Sequence, residues 1–153
     1  MIKTNDIPTL FKNSPKDFLP LLQFAAYSGA DFDDILALDW DCFKKQNCTI
    51  TFYRKHPYTI PVTDKLAKIL DMRINQTGCV SGKIFADWDR AKCRAILHSL
   101  GAYMHTIRAE FMNELAKQGV GVLTISLIIG QKDTEYAYVD MAELEAAMNK
   151  ISY

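Results

Sequence analysis

Thr49-Ile50-Thr51-Phe52-Tyr53 alternates along a run of β-branched and aromatic residues, and Tyr58-Thr59-Ile60-Pro61-Val62 answers it across Lys55-His56-Pro57. Two such runs with a short turn between them predict an antiparallel hairpin. The rest of the chain has to close around that hairpin, and its pattern is helical. Ser14 followed by Pro15 predicts a helix start, with apolar residues through Leu19, Leu22, Phe24 and Ala26 until Gly29 stops it. A short helix carries Ile35, Leu36 and Leu38 into Trp40, with Asp31 or Asp33 as its cap. Thr63 or Asp64 caps a helix through Leu66, Ile69, Leu70 and Met72, and Asn75 to Gly82 reads as a polar loop. Further helices are expected from Trp88 to Leu100 behind Asp87, between Gly101, which precedes the helix bearing His105 and Arg108, and Gly119, which ends it, from Val122 to Ile129, and from Asp140 onward, where Asp140 and Glu143 form a capping-box pattern. The expected fold class is mainly α with a small antiparallel β-sheet. Residues 1–13 lack a clear period and read as an arm, and residues 14–153 read as one domain.

The chain has 153 residues, 49% of them hydrophobic, which suffices for one core and falls short of two ordinary domains. Its 18 basic and 18 acidic residues give no net charge, which argues against a strongly basic nucleic-acid binder. The charges are uneven, however. Asp31, Asp33, Asp34, Asp39 and Asp41 precede an acid-free stretch from Cys42 to Thr63 that holds Lys44, Lys45, Arg54 and Lys55. A local basic face can survive a neutral total. Cys42, Cys48, Cys79 and Cys93 show neither CxxC pairing nor metal-ligand spacing with the three histidines, so no metal, cofactor or disulfide framework is expected. They read as reduced, mostly buried thiols. No apolar run reaches membrane-spanning length, and polar Lys3, Asn5 and Asp6 stand where a signal peptide needs its apolar core, so a cytoplasmic protein is expected.

His105-Thr106-Ile107-Arg108 is the stretch richest in chemistry. A His and an Arg three residues apart on a helix share a face, so a proton-transferring group and a two-pronged cation converge on one small anion. Alone, the pair also fits a surface histidine beside a solvated arginine. The order of the surrounding pieces adds to it: Tyr27-Ser28-Gly29, an acidic helix and the basic hairpin lie upstream, and Gly130-Gln131 and the tyrosine-rich Tyr136-Ala137-Tyr138-Val139-Asp140 lie downstream.

That order resembles the catalytic domain of the tyrosine recombinase, or phage integrase, family from about residue 15 to the end. Tyr27-Ser28-Gly29 with Asp34-Ile35-Leu36-Ala37-Leu38 is similar to the family's Thr-Gly-Leu-Arg-x-x-Glu-Leu segment, Asp34 falling on its acid. The resemblance implies a DNA-breaking and rejoining chemistry through a 3′-phosphotyrosine that needs no metal, because a cationic clamp stabilises the phosphate. It implies Arg108 as clamp, His105 as proton-transfer or positioning group, Lys55 as general acid and Tyr136 as nucleophile, with Tyr138 as the alternative nucleophile. Lys44, Lys45, Arg54 and Lys55 would contact double-stranded DNA. Two positions depart from the family. Asp31 stands at its first arginine and Gln131 at its histidine, which implies impaired cleavage. The spacing from Gln131 to Tyr136 is about four residues shorter than the family's.

Three roles therefore remain open on the sequence. The chain is a DNA recombination and integration enzyme with an atypical clamp, or a pseudoenzyme remnant of a mobile element that binds DNA or regulates, or a protein-interaction module on the same fold. The family's separate N-terminal core-binding domain is expected to be absent, and the C-terminal helix is a candidate for self-association.

Overall fold

The computed structural model describes residues 6–54, 56–131 and 140–153. Within these, eight helices surround a three-stranded antiparallel sheet. Helix α2 (Leu19–Ser28) lies at the centre, with Leu21, Leu22, Phe24, Ala25 and Ala26 all fully buried. A helix that is apolar on every side must be enclosed. Here α1 (Ile7–Asn13), α4 (Asp64–Thr77) and α6 (Thr106–Lys117) enclose it. Gly29 ends α2 at φ +73°, and a β-carbon there would lie 2.3 Å from the Phe111 ring of α6. Only glycine satisfies both the left-handed turn and that approach.

The hairpin forms as expected, with β2 (Thr49–Phe52) and β3 (Tyr58–Pro61) in a register that opposes Ile50 to Ile60 and Phe52 to Tyr58. Thr51 and Thr59 face each other with their hydroxyls 2.7 Å apart. A third strand, β1 (Phe43–Lys44), adds to the β2 edge, with Phe43 opposite Ile50. A single 3-10 turn at Trp40–Cys42 leads into it from α3 (Phe32–Ala37). The remaining helices are α5 (Arg90–Ser99), α7 (Val122–Ile129) and α8 (Met141–Met148). Helix α8 packs its Leu144, Ala147 and Met148 against its own chain, over β3 and α7.

Several boundaries differ from the sequence reading. Residues 7–13, in which no period is evident, form a helix capped by Asp6, which accepts from the Thr9 N–H at 3.5 Å and buries Ile7 and Leu10. Ser14 closes this helix instead of opening the next, because its N–H donates to Phe11 O, and α2 begins at Leu19 with Pro20 in its first turn. Helix α4 runs to Thr77, three residues into the expected loop, until Gly78 takes the left-handed cap at φ +66°. Asp89, not Asp87, caps α5 by accepting from the Lys92 N–H at 2.8 Å. Glu143 accepts a hydrogen bond from the Thr124 hydroxyl of α7 at 3.3 Å, so the expected capping box reduces to Asp140 accepting from the Ala142 N–H.

Two of the four thiols, Cys42 and Cys93, are buried, whereas Cys48 and Cys79 are exposed and all four are free. Burial pushes the Cys93 thiol up to about 11, while hydrogen bonds with Ser81 lower that of Cys79. No helix of the described residues is long and apolar enough to cross a membrane.

Candidate functional site

Three backbone turns meet beside α6: the α2–α3 junction at Gly29 to Asp31, the hairpin end at Arg54, and the C-terminus of α7 at Ile129 and Gly130. Arg108, on the first turns of α6, reaches into this meeting point. Its NH1 donates to Gly29 O at 3.4 Å and its NH2 to Ile129 O at 3.0 Å. The last carbonyls of a helix lack intrahelical donors and carry a partial negative charge, so a guanidinium is well placed there. The side chain is 18% exposed, and its Nε has no acceptor among the described residues.

Asp31 occupies the N-cap position of α3 but makes no side-chain capping bond. Its carboxylate instead lies 3.6 Å from Arg108 NH1 and is 47% exposed. Asp34, one turn further along α3, accepts from Arg54 NH1 at 2.8 Å. Arg54 NH2 donates to Gly130 O at 2.5 Å, and its guanidinium carbon sits 4.9 Å above the Tyr58 ring. Desolvation raises the Asp34 carboxyl above its ordinary range, with the neighbouring Arg54 and Arg108 charges opposing that rise. Burial also pushes the Tyr58 hydroxyl up, and it has no hydrogen-bond partner among the described residues. The site therefore holds two guanidiniums and two carboxylates around one helix end.

The other candidates are distributed differently. His105 is the N-cap of α6, in the αR conformation at φ −90°, and not part of the helix. The helix starts one residue later, at Thr106, which is buried and whose hydroxyl accepts from the Tyr103 N–H at 2.9 Å. The His105 ring stacks on Tyr103 at 6.0 Å, and no hydrogen bond or ion pair joins it to Arg108 among the described residues. Gln131 donates its N–H to Ser126 O and accepts from the Ser126 hydroxyl at 3.2 Å, directly after the Gly130 turn. Lys44 and Lys45 are exposed at the β1–β2 turn, at the opposite end of β2 from Arg54. The basic stretch of the sequence is thus divided between two ends of the sheet. Lys55, Tyr136 and Tyr138 lie outside the described residues.

Sequence reasoning did not single out a cationic stripe on α5. Arg90, Arg94 and His98, at intervals of four, line an open groove together with Ala91 and Ala95. The signal was available, since that helix contains four basic residues with histidine included, and no acid. Arg90 pairs with Asp33 of α3. Ring contacts continue the stripe from His98 to Tyr103 at 6.4 Å and on to His105. Among the described residues no cluster of His, Cys, Asp or Glu could hold a metal ion.

The fold has known counterparts. The integrase from mycobacterium phage Brujita superposes with a TM-score of 0.77 over 99% of this chain at 16% identity. The chain has the tyrosine recombinase fold. XerA recombinase matches 97% of it at a TM-score of 0.69 and 14% identity. The Tn1549 transposon integrase, in complex with transposon right end DNA, matches 95% at 0.65 and 12%. The chain spans 58%, 60% and 62% of the length of these three structures. No family model and no curated protein matches the sequence.

Proposed function

We propose that this chain is an integrase-type domain that binds double-stranded DNA and belongs to a strand-cleaving and rejoining machinery. Arg108 is its phosphate ligand, and His105, Lys55 and Tyr136 are assigned as positioning group, general acid and nucleophile. The observation that carries this reading is the position of Arg108, anchored on Gly29 O and Ile129 O and partly exposed, in a tyrosine recombinase fold. The α5 stripe supports it, because Arg94, His98 and Tyr103 offer a cationic and aromatic track that ends at His105. Asp31 opposes phosphate binding at Arg108, and Gln131 supplies an amide where the family has an imidazole. DNA contact is therefore retained and cleavage is weakened. The C-terminal helix, whose apolar face is buried in its own chain, has no part in this proposal.

The test pairs binding with trapping. Anisotropy of a fluorescent duplex, titrated across salt concentrations, should give weak binding whose logarithm falls linearly with the logarithm of salt, because each phosphate contact releases counterions. Arg108→Ala should weaken that binding further. Incubation with nicked duplexes should then give a covalent adduct lost on Tyr136→Phe. No binding at low salt would overturn the proposal, whereas binding without adduct would confine it to DNA contact.

A further inference from the structure

The acid Asp34 is the key to what became of the missing positive charge. In the pattern that this chain resembles, an arginine precedes that acid by three residues, and here the position is Asp31. Asp34 nevertheless has a guanidinium, delivered from a different element: Arg54 comes from the hairpin, 20 residues later, and reaches the carboxylate at 2.8 Å. Arg54 then bonds Gly130 O, while Arg108 bonds Ile129 O. Adjoining residues have Cα atoms about 3.8 Å apart. The two forks are therefore anchored on neighbouring links of the chain, at one end of α7.

We propose that Arg54 supplies the second guanidinium of the phosphate site, taking over the role that Asp31 cannot perform. A guanidinium carries five N–H donors in a planar fork. Among the described residues Arg54 spends one on Asp34 and one on Gly130 O, which leaves three. Its side chain is 31% exposed, so it is not sealed into the core as a purely structural cation would be. The Tyr58 ring beneath it fixes its plane, and Gly130 holds that ring in place, since a β-carbon there would lie 2.2 Å from it. Two forks facing one phosphodiester would grip both non-bridging oxygens, the geometry in which arginine surpasses lysine. The competing role is a brace only, in which Arg54 does no more than tie the hairpin to α3 and to the α7 end.

The inference rests on the proposed function, and one titration separates the two. Nitrogen-resolved NMR of the guanidinium groups, with inorganic phosphate as probe, should shift the Nε–H signals of Arg54 and Arg108 together along one binding curve. Arg54→Lys, which keeps the charge and loses the fork, should weaken phosphate about tenfold. Asp34→Asn, which releases Arg54 and is the safer variant for folding, should strengthen it severalfold. If Arg108 shifts and Arg54 does not, Arg54 is a brace and the inference falls while the proposed function stands. If neither shifts and the duplex does not bind, both fall. Weaker phosphate binding by Asp34→Asn, with the fold intact, would also overturn it.

Discussion

Arg73 and the Arg54–Arg108 pair show two ways of holding a guanidinium inside one small protein. Arg73, on α4, is 2% exposed and each of its three nitrogens has an acceptor: Ile84 O at 3.1 Å, Gln76 Oε1 at 2.9 Å and Asp87 Oδ1 at 2.5 Å. The guanidinium also lies 4.9 Å over the Phe85 ring. Its two remaining N–H groups are buried with it and out of reach of a ligand. Arg54 and Arg108 are partly exposed, and neither Nε has an acceptor among the described residues. A buried cation with an acceptor at every nitrogen serves the fold alone, whereas a partly exposed one with an unspent Nε–H keeps a donor that an anion could use.

The largest effect that follows is on stability. Arg73→Ala should lower the unfolding free energy by about 3 kcal/mol in urea titrations, because it leaves the Ile84 carbonyl without its donor and opens a void beside Phe85. Asp87, 57% exposed, can return to water and limits the loss. Phosphate or duplex affinity of the folded protein should not change. A stability loss below about 1 kcal/mol, or a parallel loss of affinity, would erase the distinction between the two kinds of arginine.

Gly130→Ala comes next and should act on both properties. The residue has φ +69°, and an added β-carbon would meet the Tyr58 ring at 2.2 Å. Strain and displacement together should amount to about 2 kcal/mol. Gly78→Ala is the control, since it has a similar φ of +66° and open space around it, so that only the backbone term of about 1 kcal/mol remains. The comparison sharpens if Gly130→Ala also weakens phosphate binding and Gly78→Ala does not, because only the first disturbs the ring under Arg54.

Much of the fold is legible in the sequence because it is fixed locally. The hairpin alternation, the Thr63 cap and the glycine stops at Gly29 and Gly130 each depend on a few neighbouring residues. Helix α1 is too short to display a period, and its Ile7 and Leu10 gain their meaning only from the core they enter. The two-residue strand β1 carries no pattern at all. The sequence points to Asp87 as the cap of α5, but Asp87 is engaged by Arg73 from α4, a partner 14 residues away, and Asp89 caps the helix instead. The site divides in the same way. Arg108 stands out through its motif, whereas the Arg54–Asp34 pair joins a hairpin to a helix and leaves no spacing to find. Asp31 is visible as a charge reversal, but its geometry, close to Arg108 without capping α3, needs the packed α2–α3 junction.

The smallest predicted effect concerns that acid. Asp31 lies 3.6 Å from Arg108 NH1 and is 47% exposed, so water screens most of its charge. A phosphate bound at Arg108 would still feel it as a repulsion of about 1 kcal/mol, taking a separation near 5 Å and a dielectric close to that of water. Asp31→Asn should therefore tighten duplex binding about fivefold at low salt, with the gain shrinking as salt is added. Asp41→Asn, an exposed acid of the 3-10 turn, makes the same change in net charge and should do less. Equal gains from both variants would mean that total charge governs binding and that Arg108 has no privileged place in it. A gain confined to Asp31→Asn would locate the phosphate at the half-satisfied arginine, because a local repulsion can be relieved only where the anion sits.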